Sequence, residues 1–212
     1  MRLRRKPWIS EAILEYKDDY IYFDKLEEHK GKWQELYGTK ELALEIGCGK
    51  GAFINGMAEL NPDIGYIGIE SQHDIAYYPA KQAKEAQRKN IKIICGNAEY
   101  LEQWFQPGEV KFLYLNFSDP WPKARHAKRR LTHKHFLTMY KNLLGPGGVL
   151  RFKTDNRALF DFSVEEFQEF GLNITKLSYD LHHSDFENLV QTEYERKFSA
   201  LGKPICFCEI LF

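Results

Sequence analysis

The chain has 212 residues, with 30 Lys plus Arg and 30 Asp plus Glu, so its formal net charge is zero. This length suits one domain of ordinary size, and a hydrophobic fraction of 43% is enough to build a buried core. A charged fraction of 28% is close to the globular average and argues against wholesale disorder. No apolar run approaches the ~20 residues of a membrane span, and no apolar stretch follows the basic start, as a signal peptide would require.

The zero net charge hides a segregated distribution. Between Pro120 and Thr154 there are nine Lys or Arg and no Asp or Glu, and residues 2–6 contain four more bases. The rest of the chain therefore carries 17 bases against 30 acids. We expect an acidic body with a basic arm and a basic segment, and the crowded cations of that segment favour a polyanionic partner.

The predicted elements begin with residues 1–40, a polar and aromatic stretch that we interpret as an N-terminal arm and helical extension. From there strands alternate with helices. Strands are predicted over 42–46, 65–70, 91–95, 110–115, 149–153, 173–179 and 205–212. Helices are predicted over 52–60, 72–89, 98–105, 133–144 and 157–170, with Ser71 and Thr132 as N-caps.

This alternation is typical of βαβ units and a parallel sheet covered by helices on both faces. The last two strands have no convincing helix between them, so they are expected to form an antiparallel pair at one edge. Residues 41–212 are thus predicted to be a single α/β domain with a seven-stranded, mostly parallel sheet.

The four cysteines, at positions 48, 95, 206 and 208, contain no CxxC pair, which would suggest a zinc or redox site. Cys206 and Cys208 are two residues apart, so they would lie on the same face of a strand. We therefore expect reduced, buried thiols and no metal, in a cytoplasmic protein.

A glycine-rich turn follows the first strand of the domain, where Gly47, Gly49 and Gly51 precede the first helix. Glycines at this point let the backbone turn tightly and let a ligand approach closely. The spacing departs from the GxGxxG fingerprint, because the third glycine comes one position early and position 54 is Ile, which argues against a nicotinamide dehydrogenase.

Polar residues follow the next two strands. Glu70 closes the second strand, where a carboxylate can accept hydrogen bonds from both hydroxyls of a ribose. Asn97 follows the third strand, where an amide could bind an adenine edge. The chain has no GxxxxGK[ST] loop for a triphosphate, so these residues predict an adenosine ligand without phosphates.

Residues 42–154 resemble the class I, Rossmann-like S-adenosylmethionine-dependent methyltransferases, including the Leu-Gly-Pro-Gly-Gly turn at 144–148. The resemblance implies S-adenosyl-L-methionine as methyl donor and S-adenosyl-L-homocysteine as product. It also implies that Glu70 holds the ribose and Asn97 the adenine. The residues that would face the methionine part are Glu45, Gly47 and Gly49.

The loop after the fourth strand has the most specific sequence, Asn-Phe-Ser-Asp-Pro-Trp-Pro-Lys at 116–123, followed by a basic run to position 130. Ligands of open α/β sheets bind beyond the carboxyl ends of the strands, so Asp119 is expected to point towards the site. Pro120 and Pro122 restrict the backbone and fix where Asp119 and Trp121 project.

Residues 116–131, read with 192–195, strongly resemble the bacterial tRNA (guanine-N7-)-methyltransferase family. The resemblance implies methyl transfer to a guanine of the tRNA variable loop, with Asp119 as a catalytic and donor-binding residue. The residues implied to border the acceptor base are Lys123, Asp155, Thr192, Glu193, Tyr194 and Glu195. Those implied to contact RNA are Arg125, His126, Lys128, Arg129 and Arg130. Many relatives carry Asp at the position of Asn97; either side chain can accept from the adenine amino group.

Guanine N7 carries a free lone pair, so this chemistry needs orientation more than a strong base. Asp119 is our first candidate for stabilising the charge that develops on the guanine, and Asp155 our second. Trp121 is equally suited to stacking on a base or to packing the loop. Two alternatives stay open: an exocyclic-amine methyltransferase, whose [DN]PP[YFW] motif differs here by Trp121, and a non-catalytic RNA-binding module. The sequence leaves open whether the protein is a monomer or a homodimer and whether the basic arm contacts RNA.

Overall fold

The structure is a computed structural model that describes residues 6–188 and 190–212. Most of the basic arm at 2–6 lies outside these residues. Lys6 is described: its backbone N–H donates to the Asp74 carboxylate at 2.9 Å, and its Nζ donates to the Tyr78 hydroxyl at 2.7 Å. No helix in these two ranges is long and apolar enough to cross a membrane.

Strands and helices alternate along the described chain. The strands are β1 (Ile21–Tyr22), β2 (Glu41–Ile46), β3 (Ile64–Glu70), β4 (Ile91–Cys95), β5 (Phe112–Asn116), β6 (Val149–Thr154), β7 (Asn173–Ser178) and β8 (Cys206–Leu211). The α-helices are α1 (Ile9–Ala12), α2 (Trp33–Tyr37), α3 (Ala52–Leu60), α4 (His73–Glu85), α5 (Leu101–Trp104), α6 (Lys134–Leu144), α7 (Arg157–Glu169) and α8 (Glu193–Ser199). Short 3-10 helices occupy several of the connections, including Ala124–Arg129 in the basic segment.

The strands form one sheet in the order β1-β4-β3-β2-β5-β6-β8-β7. The first six are parallel, and β8 pairs antiparallel with both β6 and β7. The predicted α/β class, parallel sheet and antiparallel edge are confirmed. The sheet has eight strands in the described residues rather than seven, because the two residues of β1 pair with β4 and are too few to leave a sequence pattern.

The helix boundaries differ slightly from prediction. Helix α4 ends at Glu85 rather than near residue 89, and its N-cap is Gln72 instead of Ser71. His133, not Thr132, is the N-cap of α6. Thr132 is buried and its hydroxyl is hydrogen-bonded to that of Ser163 at 2.7 Å, so this polar group joins α6 to α7.

Two hydrophobic layers cover the sheet. Helices α6 and α7 pack on one face, where Phe136 and Phe160 meet core residues of β5 and β6. Helices α1, α3 and α4 pack on the other face, against residues such as Ala43 and Tyr66. All four cysteines are free thiols; three are buried, whereas Cys95 is partly exposed.

Residues before β2 are held to the domain by a buried carboxylate. Glu109 is 3% exposed and accepts backbone N–H bonds from Gly31 at 3.0 Å, Trp33 at 3.1 Å and Gln106 at 2.8 Å. Trp33 is fully buried, and its indole N–H donates to the carbonyl of Trp104 at 2.9 Å. Charge-assisted bonds of this kind are stronger than neutral ones, so Glu109 is a principal attachment of the N-terminal residues.

We expect Glu109→Gln to lower the free energy of unfolding by about 2–3 kcal/mol. The single carbonyl oxygen of Gln cannot accept all three N–H groups, and its NH2 group would face a backbone N–H, which is also a donor. Urea unfolding measures this loss. The control is Glu102→Gln, since Glu102 is exposed and its carboxylate accepts one hydrogen bond within the described ranges, from Asn142; it should change stability by less than about 0.5 kcal/mol. Equal losses in both variants would contradict the role given to Glu109.

Candidate active site

A cavity of about 570 Å³ lies at the carboxyl ends of β2, β3, β4 and β5. This volume is within the ~300–1,000 Å³ usual for small-molecule sites. Four sequence-predicted residues from four strand ends line it together: Gly47, Glu70, Asn97 and Asp119. Trp121 and Arg129 complete the wall next to Asp119.

The three glycines of the turn have different roles. All have a left-handed backbone, with φ of 77° at Gly47, 56° at Gly49 and 87° at Gly51. A Cβ atom added at Gly47 or Gly49 would meet nothing within 4 Å, so both positions adjoin open space. At Gly51 it would lie 2.4 Å from Cβ of Pro79. Gly51 therefore permits close packing of α3 against α4, whereas the other two leave room for a ligand.

Backbone N–H groups orient the polar side chains at the ends of β3 and β4. Oε2 of Glu70 accepts from Gly49 N–H at 3.2 Å and Oε1 from Gln72 N–H at 2.9 Å. Burial raises the pKa of Glu70, and these N–H groups oppose the shift. Oδ1 of Asn97 accepts from Glu99 N–H at 3.1 Å. Both side chains are thus fixed before any ligand binds.

Glu45 is 2% exposed and is linked to the cavity wall through Asn116. Its Oε1 accepts from the Asn116 amide at 2.8 Å, whereas its Oε2 has no hydrogen-bond partner among the described residues. Burial raises the pKa of Glu45 to about 8, although Asn116 and Lys153 act in the opposite direction. A buried acceptor without a partner is costly, so this atom fits a donor group supplied by a ligand.

Arg130 holds the loop that carries Asp119. Two residues of this loop have left-handed backbones, with φ of 54° at Phe117 and 41° at Trp121, which is unfavourable for bulky side chains. The Arg130 guanidinium donates from Nε to the carbonyl of Pro120 and from Nη2 to that of Trp121, both at 3.1 Å. It also lies 4.2 Å from the ring centroid of Phe162. These contacts stabilise an otherwise strained loop.

The basic run at 123–130, which is part of the basic segment, contains two groups of side chains. Arg129 lies 4.8 Å from the ring centroid of Trp121, and the His126 ring meets Trp121 edge-on at 5.7 Å. With Arg130, these residues contact the protein's own loop. The other three cations are exposed and make no side-chain hydrogen bond or ion pair within the described chain: Lys123, Arg125 and Lys128. Asp119 is likewise exposed and unbonded there.

None of the residues expected to border the acceptor lines this cavity, but Tyr194 contacts a residue that does. The Tyr194 hydroxyl donates to Oδ2 of Asp155 at 3.4 Å, and its ring centroid is 5.0 Å from that of Phe117, which lines the cavity. Thr192 is the N-cap of α8, and its Oγ1 accepts from Glu195 N–H at 2.9 Å. Glu193 is exposed, whereas Glu195 is fully buried.

Sequence reasoning missed two residues of this region. Asn116 was read only as part of a motif, yet its amide holds Glu45. Lys153 was counted only as a cation, yet it is 6% exposed and pairs with Glu195 at 3.1 Å. The signal for Lys153 is its place in a strand between Phe152 and Thr154, where a charged side chain requires a buried partner.

Comparisons with known proteins agree with this geometry. A family described as "Putative methyltransferase" matches residues 39–208. The tRNA (guanine-N(7)-)-methyltransferase of Bacillus subtilis (strain 168) is 48% identical over 211 residues, covering 99% of this chain and 98% of that protein. Its counterpart in Listeria innocua serovar 6a is 47% identical over 213 residues, covering 100% and 99%.

The chain belongs to the tRNA (guanine-N7-)-methyltransferase family. Among solved structures, the 16S rRNA methyltransferase KamB superposes with a TM-score of 0.65 at 14% identity, covering 90% of this chain and 94% of that one. At that identity the likeness concerns the fold alone. The methyltransferase class and the family inferred from the 116–131 and 192–195 motifs are confirmed.

Because Glu45 is buried, we expect the stability of this protein to depend on pH. Its folded pKa of about 8 lies above the ordinary 4.5, so the folded chain keeps a proton that the unfolded chain releases. Between these values the donor-free protein should lose up to about 1.4 kcal/mol of unfolding free energy per pH unit through this group. Glu45→Gln removes this loss. In urea unfolding from pH 5 to 8, the free energy of unfolding of the variant should therefore rise relative to that of the wild type as the pH rises. Parallel curves would rule out a buried neutral Glu45.

Proposed function

We propose that this protein transfers a methyl group from S-adenosyl-L-methionine to N7 of a guanine in tRNA, forming 7-methylguanosine. The observation that carries this proposal is the position of Asp119. Its carboxylate makes no hydrogen bond in the described residues, lines the cavity suited to the methyl donor, and is followed along the chain by the exposed cations Lys123, Arg125 and Lys128. The full-length similarity to enzymes named for that activity supports it. We further propose that the target lies in the variable loop and that the enzyme acts in the cytoplasm.

The donor-binding part fits residues already oriented in the cavity. When bound, the donor supplies an electrophilic methyl group on a sulfonium centre. Glu70 would accept from the ribose hydroxyls, and Asn97 would bind the adenine edge. Open space at Gly47 and Gly49 and the unpartnered Oε2 of Glu45 suit the methionine part, whose ammonium group can donate.

The residues near the acceptor mainly orient it. Guanine N7 presents a lone pair and no proton has to leave, so correct alignment supplies much of the acceleration, up to ~7–11 kcal/mol. Asp119 would accept from guanine N1–H and N2–H and stabilise the positive charge that develops on the ring. Asp155, held by Tyr194, would border the same base. Lys123 would donate to guanine O6 or to a phosphate.

The RNA would be held by the exposed cations of the basic segment. Arg125 and Lys128 are free to contact backbone phosphates, which position an RNA without selecting a base. Selection of the guanine then depends on the pocket and on the shape of the tRNA. Arg129 and Arg130 instead contact their own loop, at Trp121 and Pro120.

Nucleoside analysis tests the reaction. Unmodified tRNA incubated with the protein and donor, then digested, should contain 7-methylguanosine. Asp119→Ala should lower turnover at least about 100-fold while donor binding, measured by calorimetry, changes little, because the loss concerns charge stabilisation. A methylated exocyclic amine as the only product would favour the alternative class of methyltransferase, and donor binding without any product would favour a non-catalytic module.

The salt dependence of tRNA binding tests the division of the basic segment. Arg125→Gln and Lys128→Gln should each reduce the slope of log affinity against log salt by about 1, because each removes one phosphate contact. Arg130→Gln should leave that slope unchanged and lower kcat about tenfold or more, because the Asp119 loop loses its clamp. A slope reduced by Arg130→Gln as much as by Arg125→Gln would place Arg130 on the RNA instead.

A further inference from the structure

The ammonium group of Lys153 donates all of its hydrogen bonds to other groups of the protein. It lies on β6 with 6% exposure, and burial lowers the pKa of Lys153 while Glu195 raises it. Nζ donates to Oδ1 of Asn188 at 2.7 Å, to Oε2 of Glu195 at 3.1 Å and to the carbonyl of Val190 at 3.3 Å. A lysine has three N–H donors, so these contacts account for all of them. Lys153 thus joins β6 to three points of the chain preceding and beginning α8.

Both oxygens of the Glu195 carboxylate also accept hydrogen bonds inside the protein. Glu195 is 0% exposed, and besides Lys153 on Oε2 its Oε1 accepts from the Asn188 amide at 2.6 Å. His182 Nε2 lies 3.2 Å from the same oxygen. A hydrogen bond from Glu195 to a nucleobase would require this carboxylate to leave the pair, and Lys153 would then be a buried charge without compensation.

The pair determines where neighbouring side chains project. Thr192 caps the first turn of α8 through Glu195 N–H, and Tyr194 extends from the same turn to Asp155 and Phe117. We call Asn188, Val190 and residues 192–195 the acceptor segment. Because Nζ of Lys153 contacts Asn188, Val190 and Glu195 of this segment, its side chain sets the distance between the segment and β6.

We propose that Lys153 is a positioning residue for the acceptor base, and that Glu195 acts through the buried pair rather than by contact with that base. The inference rests on the proposed function for the nature of the acceptor. A residue that only maintained the fold would alter the amount of active enzyme and hence kcat. A positioning residue also alters KM for tRNA while leaving KM for the donor nearly unchanged.

The first experiment compares Lys153→Met with Lys176→Met in steady-state kinetics. Lys176 borders the same side of the sheet, but its Nζ pairs with Glu209 at 3.1 Å and, within the described residues, makes no hydrogen bond or ion pair to the acceptor segment. Lys153→Met should raise KM for tRNA about tenfold or more and change KM for the donor less than twofold. Lys176→Met should leave both unchanged. A fall in kcat alone for Lys153→Met would overturn the proposal.

A double variant separates positioning from stability. Lys153→Met leaves Glu195 buried without its cation and should lower Tm, whereas Lys153→Met with Glu195→Met replaces both charges by apolar side chains and should recover most of that loss. The recovered protein should keep the high KM for tRNA, because Asn188 and the Val190 carbonyl still lack Nζ. A double variant with the wild-type KM for tRNA would show that the pair serves folding only.

Hydrogen exchange provides a readout that needs no RNA. In Lys153→Met, peptides within 185–195 should exchange faster than in the wild type, while peptides from β2 and β3 stay protected; Lys176→Met should match the wild type. If the wild-type protein methylates no tRNA, the proposed function fails. Faster exchange confined to 185–195 in Lys153→Met would still show that Lys153 holds the acceptor segment. Unchanged exchange there contradicts it.

Discussion

The site depends on the parallel pairing of β2 with β3 on one side and β5 on the other. This pairing brings Ile46 level with Ile69 and with Leu115, so three strands end at the same edge. The sheet order reverses at this point, and the diverging connections leave a crevice between them. The turn after β2, Glu70 after β3 and the loop after β5 therefore share one space although they are far apart in sequence.

Several parts of the site are oriented by hydrogen bonds within the protein itself. Glu70 is held by two backbone N–H groups, and Asn97 by the N–H of Glu99. Arg130 supports the loop with the left-handed Trp121. Such preorganisation matters for a reaction that needs alignment more than proton transfer, since groups already in place cost no further ordering when the substrates meet.

Local patterns in the sequence predicted the α/β class, most strand and helix positions and the residues around the cavity. Glycines, caps and alternation are short-range signals, and the sheet follows from them. The two-residue β1 carries no such signal. The Lys153–Glu195 pair joins residues 42 positions apart, and the Arg130 guanidinium bonds two carbonyls, which are chemically alike at every position. Contacts of these kinds depend on tertiary structure and leave no periodicity.

The division of the basic segment bears on how such an enzyme can change during evolution. Lys123, Arg125 and Lys128 are exposed and make no side-chain hydrogen bond or ion pair within the described chain, whereas Arg129 and Arg130 contact the loop. In the proposed function, substitutions of Arg125 or Lys128 would alter how tightly RNA is retained without moving Asp119. Substitutions in the second group alter the loop that carries Asp119. On this proposal, RNA affinity and the geometry of the loop depend on adjacent residues that can vary independently, and a lineage could change its affinity for RNA while inheriting an unaltered Asp119 loop.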